Sequence, residues 1–272
     1  MRIIRSLFVF PALLAFQLSI GAAGPLRAQE QKPGRFVYDH GAIIRGDITK
    51  KEIALVFTGH EFADGGTFIR EVLKKGETSA SFFFTGDFYR NEANSPLIRA
   101  LRQDGHYLGP HSDKHLLYCT WENRDELLVT KEEFSADILR NYEAIGPFGV
   151  AKDNAPYFIP PYEWYNAAIT GWAGDLGLNL FNFTPGTLSN VDYTTPDMAN
   201  YTSSARIYQS IIDHEKNDPH GLNGFILLVH IGTHPGRTDK FYRSLDRLLN
   251  ELRDRGYRFV GIDGLLKNRE SR

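Results

Sequence analysis

Short apolar runs alternate with helix-periodic segments through most of this 272-residue chain, and that alternation constrains the possible folds more than any other feature. The runs are continuous, as in strands buried on both faces, and the segments between them have apolar residues at helical spacing. About seven alternations without an internal linker predict an α/β fold in which helices cover a parallel sheet, open or closed into a barrel. The predicted strands are residues 52–58, 79–84, 107–111, 155–159, 179–184, 224–230 and 258–262. The predicted helices are residues 67–75, 95–103, 132–145, 165–176, 203–216 and 239–255.

The positions at which the predicted strands end carry most of the reactive side chains. Functional sites in folds of this class form at the carboxyl ends of the parallel strands. Residues 59–65 follow the first strand and His111 and His115 follow the third, while Tyr162 follows the fourth and His230 ends the sixth. Solubility alone explains such a concentration on one rim poorly. We therefore expect these side chains to share one site.

His111 and His115 are the strongest candidates for metal ligands. Two imidazoles four residues apart lie on one face of a helical turn, close enough to bind one cation. The alternative interpretation is a pair of solvated loop histidines. Their place at a strand end, beside other reactive residues, favours metal binding.

Residues 1–28 have the pattern of a signal peptide. The segment begins with two arginines, continues with an apolar run over residues 7–20 and ends with small residues. Cleavage is expected after Ala28, with a site near Ala23 as the alternative. The apolar run is short for a membrane span, so no stable membrane insertion is expected after cleavage. The pattern predicts export to a periplasm or to the exterior.

The remaining boundaries follow from the same patterns. Residues 29–51 are mixed and polar and are interpreted as an N-terminal extension, residues 52–266 as the α/β domain and residues 267–272 as a C-terminal tail. The net charge of −2 gives no electrostatic reason to expect a nucleic-acid partner. Cys119 is the only cysteine, so no intramolecular disulfide can form and stability must come from the core.

The order and spacing of four segments resemble the motifs of the NodB-type polysaccharide deacetylases, metal-dependent carbohydrate esterases built on a deformed (β/α)7 barrel. The resemblance covers roughly residues 50–265, and the segments similar to the second, third, fourth and last motifs are 105–115, 158–162, 191–193 and 227–230. The similarity implies that His111 and His115 bind the metal and that His230 is the general acid. It also implies that the backbone N–H of Tyr162 holds the oxyanion of the reaction.

The end of the first strand departs from the family pattern. The family carries two adjacent aspartates there, one a catalytic base and the other a metal ligand, whereas an ungapped match places Thr58 and Gly59 at those positions. Neither residue can perform either role. The arginine that braces the base in the family is also replaced, by Ile159. The base is therefore predicted to have been relocated or lost.

Three residues after the first strand are candidates to replace the missing aspartates: His60, Glu61 and Asp64. Zinc accepts an imidazole nitrogen or a carboxylate oxygen, so chemistry alone does not choose among them. The preferred assignment makes His60 the third metal ligand and Glu61 the catalytic base, whereas the alternative exchanges these two roles. Asp64 is a candidate for the catalytic set or, since a helix is predicted to begin near residue 67, for a helix N-cap.

The function implied by the resemblance is metal-assisted hydrolysis of an N- or O-acetyl group on a polysaccharide or oligosaccharide. The implied cofactor is a divalent metal, with zinc preferred and cobalt, nickel or manganese as alternatives. Asp192 is a candidate partner for His230, and aromatic residues in the post-strand loops are candidates for stacking on sugar rings. The rival interpretations are a catalytically degenerate carbohydrate-binding member of the same fold and a metal-dependent amidase or esterase with a non-sugar substrate.

Overall fold

Strand β3 (Glu52–Gly59) lies within a five-stranded parallel sheet in the computed structural model, which describes residues 36–267. The hydrogen-bonded strands are, in order across the sheet, β5 (Tyr107–Pro110), β4 (Ser81–Phe84), β3 and β8 (Phe225–His230). A further strand, β9 (Arg258–Val260), pairs with the first half of β3. Because all of these pairings are parallel, the carboxyl ends of the strands meet at one edge.

Two more strands, β6 (Tyr157–Phe158) and β7 (Asn179–Leu180), pair in parallel with each other and continue the series. Helices connect the parallel strands: α1 (Gly66–Lys75), α2 (Gly86–Arg90), α3 (Ser95–Gln103), α4 (Lys131–Ile145), α5 (Ala167–Asp175), α6 (Ser204–Asn217) and α7 (Leu245–Asp254). The last helix, α8 (Ile262–Leu265), follows β9. The predicted alternation of strands and helices around a parallel sheet is confirmed.

Both faces of β3 are buried, which accounts for its unbroken apolar sequence. Ile53, Leu55 and Phe57 are fully buried and belong to the larger apolar cluster, which the helices share. Ala54 and Val56 alternate with them and belong to an inner cluster, which also contains apolar residues of other strands or their ends: Phe83, Ile159, Phe181, Ile226 and Leu228. Burying one large apolar side chain stabilises a fold by about 1.5–3 kcal/mol, so packing on two sides fixes β3 firmly.

The barrel is deformed because its ladder of strand pairing is interrupted on both sides of the β6–β7 pair. On one side, the Tyr157 N–H donates a hydrogen bond of 3.0 Å to the hydroxyl oxygen of Tyr107, so a side chain connects β5 to β6. On the other side, Ile43 pairs with Phe181, the residue after β7. An N-terminal hairpin therefore fills the gap in the barrel between β7 and β8.

That hairpin consists of β1 (Val37–Asp39) and β2 (Ala42–Arg45), which pair antiparallel. The Arg45 guanidinium donates hydrogen bonds to the carbonyl oxygens of Gly221 and Asn223, at 2.8 and 2.9 Å, in the segment that precedes β8. The sequence pattern does not predict the hairpin, since it assigns these residues to an extension. In the structure they contribute to the core of the barrel.

Some predicted elements are shorter than their apolar patterns. The helix predicted over residues 239–255 begins at Leu245, because residues 241–244 form a 3₁₀ turn before it. The strands predicted over residues 155–159 and 179–184 pair over two residues each, where the ladder is interrupted. Helix α2 was absent from the predicted set.

The segments predicted as a signal peptide and most of the C-terminal tail lie outside the described residues. Within residues 36–267, no helix has the length and apolar character needed to cross a membrane. Residues 29–35 of the predicted extension are likewise outside the described range.

If the hairpin is part of the barrel core, Ile43→Ala should lower the free energy of unfolding by about 2–5 kcal/mol, since it leaves a cavity in the inner cluster. Val37→Ala in the same hairpin is the matched control, because Val37 is exposed and its loss should change stability by about 0.5 kcal/mol or less. Urea denaturation of both variants measures the difference. Equal stability of the two variants would contradict a structural role for the hairpin.

Candidate active site

The carboxyl ends of β3, β5 and β8 open into a cleft of about 640 Å³. Its lining includes these predicted site residues: His60, Glu61, His111, His115, Tyr162 and His230. The structure therefore brings together side chains from four post-strand segments, as expected from the strand ends. Asp64 is a predicted candidate that does not line the cleft, and Glu163 lines it without having been a candidate.

The loop that carries His111 and His115 is not the helical turn assumed from their spacing. Ser112 and His115 have left-handed backbone angles, with φ of 71° and 57°. A right-handed helical turn does not contain such angles, so that part of the prediction is wrong. The two imidazoles are nevertheless close, with ring centroids 5.1 Å apart.

Two buried polar side chains of α4 hold this loop in place. The side-chain oxygen of Asn141 accepts a hydrogen bond of 2.8 Å from the His111 N–H. The carboxylate of Asp137 accepts hydrogen bonds of 3.1 Å from the N–H groups of Asp113 and Lys114. Both side chains are fully buried, so these bonds are shielded from competition with water. The irregular backbone of the loop is thus stabilised from a helix outside the sheet.

Burial keeps both imidazoles of the loop neutral. Burial, together with a smaller effect of the neighbouring histidines, lowers the pKa of His111 to about 3 and that of His115 to about 2. The Nδ1–H of His111 donates a hydrogen bond of 2.9 Å to the carbonyl oxygen of Ile159, which leaves a lone pair on Nε2. A neutral imidazole held through its other nitrogen is the form in which histidine binds metals.

The geometry of His111 and His115 fits a shared divalent metal. Zinc–nitrogen bonds of about 2.0–2.1 Å in a tetrahedral site place two ligand rings about 5 Å apart. The ring centroids of His111 and His115 are 5.1 Å apart, and their planes meet at 62°. The spacing of the pair is therefore compatible with two ligands of one such site.

The third predicted ligand, His60, is close but not aligned with this pair. Its ring stacks on that of His115, with centroids 4.7 Å apart and planes 8° from parallel. In-plane lone pairs of stacked rings run side by side rather than meeting at one ion. Accordingly, residues 36–267 contain no group of three or more His, Cys, Asp or Glu side chains with the geometry to hold a metal. The ligand role of His60 stays a prediction.

His230 pairs with the buried carboxylate of Asp192. Its Nδ1 lies 2.6 Å from Oδ1 of Asp192, and its backbone N–H donates to Oδ2 of the same carboxylate at 3.1 Å. Burial alone would lower the pKa of His230, but the negative charges of Asp192 and, to a smaller extent, Glu163 raise it above its ordinary value. The predicted pairing is confirmed, and it favours a protonated imidazole at the cleft.

Tyr162 contributes both a backbone group and a ring to the cleft. Its N–H makes no hydrogen bond with any of residues 36–267, and its φ of 57° is left-handed. Its half-exposed ring lies 4.4 Å from the His115 ring and 5.7 Å from that of Trp121, measured between centroids. An unpaired N–H at the cleft is available to an oxyanion, as the resemblance implies.

Asp64 is engaged away from the cleft. Its carboxylate accepts hydrogen bonds from the Thr233 N–H at 2.8 Å and the Tyr242 hydroxyl at 3.0 Å, and it pairs with Lys240 at 2.9 Å. Burial would raise the pKa of Asp64, but these donors lower it below its ordinary value. The N-cap alternative is wrong, because Gly65 occupies that position of α1 and no side chain caps the helix.

Thr58, Gly59 and Ile159 stand where the family has two aspartates and an arginine, and their surroundings differ. Thr58 lines the cleft and is buried, and its Oγ1 has no hydrogen-bond partner among the described residues. A Cβ on Gly59 would lie 2.7 Å from Ile231 and 2.9 Å from Phe84, so an aspartate there would force a rearrangement. Ile159 is fully buried in the inner cluster. None of the three side chains can act as a general base near neutral pH.

Residues 45–181 match the family model described as polysaccharide deacetylase. Among curated proteins, the chain is 26% identical over 238 residues to the peptidoglycan-N-acetylmuramic acid deacetylase PdaA of Bacillus subtilis (strain 168). That match covers 86% of this chain and 78% of the relative.

Two solved structures illustrate the likeness of fold. A CE4 family pseudoenzyme from Bacillus anthracis matches with a TM-score of 0.65 and 19% identity, over 85% of this chain and 70% of that one. A family 4 acetyl xylan esterase from Clostridium thermocellum, in complex with a cobalt ion, matches with a TM-score of 0.57 and 20% identity, over 79% and 89%. The predicted deformed barrel is confirmed.

Removing the carboxylate that holds the histidine loop should destabilise the protein measurably. In Asp137→Ala, the buried Asp113 N–H and the buried Tyr118 hydroxyl lose their acceptor, and each such loss costs about 1–3 kcal/mol, so we expect at least about 2 kcal/mol. Glu143→Ala on the exposed face of the same helix is the control and should change stability little. Guanidinium denaturation compares the two, and equal midpoints would contradict this role for Asp137.

Proposed function

Because this chain belongs to the polysaccharide deacetylase family, we propose that it hydrolyses N- or O-acetyl groups on a polysaccharide or oligosaccharide. The observation that carries the proposal is the His230–Asp192 pair, which shares one cleft with the neutral imidazoles of His111 and His115. A proton donor beside a candidate metal pair suits the hydrolysis of an acyl group.

A divalent metal is part of this proposal. His111 and His115 would hold it, and His60 would have to turn out of its stack on His115 to become the third ligand. Zinc is the preferred metal, with cobalt, nickel or manganese as alternatives; the acetyl xylan esterase with a similar fold is in complex with cobalt. When bound, such an ion polarises an acyl carbonyl group and makes a water molecule more acidic.

Residues of the cleft would donate and accept the protons of this reaction and stabilise its oxyanion. His230, protonated and held by Asp192, donates its proton to the amine or alkoxide that leaves. The N–H of Tyr162 donates a hydrogen bond to the oxyanion of the tetrahedral intermediate. A carboxylate must accept the proton of the attacking water, and Glu61 is the candidate from the sequence.

Exposed aromatic rings around the cleft support a sugar substrate. Trp121, Tyr162 and Tyr193 line it and are 54%, 46% and 41% exposed. Such rings can stack on the apolar faces of sugars, which a small non-sugar ester would not require. Tyr165, an aromatic residue in the same post-strand segment as Tyr162, is fully buried and packs in the core instead.

We further propose that the protein acts in the periplasm or outside the cell. The proposal depends on the signal-peptide pattern of residues 1–28. It agrees with a polysaccharide substrate, which an exported enzyme could reach at the cell envelope.

A carbohydrate-binding protein without catalysis is the second candidate function. The replacement of acids and arginine by Thr58, Gly59 and Ile159 favours it, and a pseudoenzyme is among the structures with a similar fold. Against it, the cleft retains an ion-paired histidine and an unengaged N–H, which binding alone does not need.

If the protein is a metal-dependent deacetylase, the metal-loaded chain should release acetate from acetylated xylan, chitin oligomers or peptidoglycan. His111→Ala and His115→Ala should each lose bound metal and at least about 100-fold in activity, because a ligand is removed. His234→Ala, an exposed histidine of the same cleft, should keep both. Acetate assays with elemental analysis measure these outcomes.

Two outcomes would count against the assignment. Full metal occupancy in His111→Ala and His115→Ala would remove the metal site from these residues. Absence of acetate release by a metal-loaded wild-type chain on all three substrates would favour the binding protein.

The activity should fall as the pH rises through the pKa of His230, because the general acid must be protonated. The Asp192 carboxylate raises that pKa, so Asp192→Asn should move the alkaline limb of kcat/KM to lower pH. Asp197→Asn, which removes another acid of the cleft, should leave this limb in place. An unmoved limb in Asp192→Asn would contradict the acid role of His230.

A further inference from the structure

A second glutamate, Glu163, is held in the cleft by a rigid loop. It follows Tyr162 after the end of β6 and lines the cleft together with His230. Its N–H donates to the carbonyl oxygen of Pro160 at 3.1 Å, and its own carbonyl oxygen accepts from the side chain of Asn182 at 2.8 Å. The backbone on both sides of its half-buried side chain is therefore fixed.

The conformation of this loop is strained. Tyr162 and Glu163 are consecutive non-glycine residues in the left-handed region, with φ of 57° and 53°. This region is unfavourable for a residue other than glycine, because its Cβ approaches the following carbonyl oxygen. Strain of this kind persists where the surrounding structure imposes it, and it concentrates at functional sites.

The carboxylate of Glu163 has no structural partner. Within residues 36–267, its side chain makes no hydrogen bond and no ion pair. The fully buried acids of the site differ, since Asp137 accepts hydrogen bonds from the histidine loop and Asp192 from His230. Packing thus accounts for those acids, whereas nothing in the described fold requires an acid at position 163.

The surroundings of Glu163 suit a group that accepts a proton near neutrality. Burial raises its pKa to about 7, with the negative charge of Asp192 adding to the effect and His230 opposing it. A base is most effective when its pKa is near the working pH. The nearby His230 also has a raised pKa, so an acid and a base are available in one cleft.

Other positions are less suited to this role. Thr58 and Gly59 cannot accept a proton, and Gly59 has no room for a larger side chain. Glu61, the candidate from the sequence, is exposed at the edge of the cleft, where water competes for its carboxylate. Asp64 is bound by three donors and does not line the cleft.

We propose that Glu163 is the general base of acetyl hydrolysis, in place of the acid that β3 lacks. This inference rests on the proposed function. Glu163 takes a proton from water as the water oxygen forms a bond to the acetyl carbon. The C–N or C–O bond of the acetyl group then breaks, and His230 gives its proton to the departing nitrogen or oxygen. The products are acetic acid, which ionises to acetate, and a free amine or hydroxyl; Glu163 returns its proton to solvent and His230 regains one.

The test compares Glu163→Gln with the wild type, both loaded with zinc. Glutamine keeps the size of the side chain but cannot accept the proton, so kcat should fall at least about 100-fold while KM and zinc content change little. Glu122→Gln, which alters an exposed glutamate outside the cleft lining, is the matched control and should retain wild-type kcat. Glu61→Gln tests the competing assignment: loss of activity there with retention in Glu163→Gln would overturn the inference.

A second measurement does not depend on turnover. Carbon-13 NMR of the zinc-loaded wild type, with the Glu163 carboxyl signal assigned by its absence in Glu163→Gln, should give a titration midpoint well above the ordinary 4.5. A midpoint near 4.5 would overturn the inference even if the variant were inactive through misfolding. A wild type that releases no acetate would overturn the proposed function and this inference with it, whereas an active Glu163→Gln would overturn this inference alone.

Discussion

The burial of β3 on both faces is the constraint from which the site follows. A strand whose alternate residues pack against helices and against the barrel interior has no free face on which a polar side chain could act. Polar groups are therefore displaced to its carboxyl end, where Thr58 and the following loop reach the cleft. The same holds for β8, whose apolar run ends at His230. The polar side chains of the cleft therefore lie at the carboxyl ends of the strands, beyond the apolar core.

This constraint also explains how much could be predicted from the sequence. Apolar runs mark the strands, and the ends of parallel strands share one edge, so the meeting of His60, His111, His115 and His230 in one cleft could be expected and is confirmed. The pairing of Asp192 with His230 could be proposed from motif order and is also confirmed. Both predictions depend on information that lies within short segments.

The remaining features depend on contacts between distant segments. The left-handed turns of the His111 loop are stabilised by Asp137 of α4, which the spacing of the histidines does not reveal. Strand β1 is largely exposed, so its sequence lacks an apolar pattern. The residues around Glu163 suggest an acid in a solvated loop, and its burial arises only in the folded chain. Its position directly after a strand-end segment was the available signal.

The left-handed backbone at Tyr162 and Glu163 determines which substitutions these two positions tolerate. Glycine would relieve the backbone at either position, so substitutions to glycine are the ones that folding alone would favour. At position 163, glycine would also delete the carboxylate from the cleft. At residue 163, the side chain that would suit the backbone best is therefore not the one that places a carboxylate in the cleft.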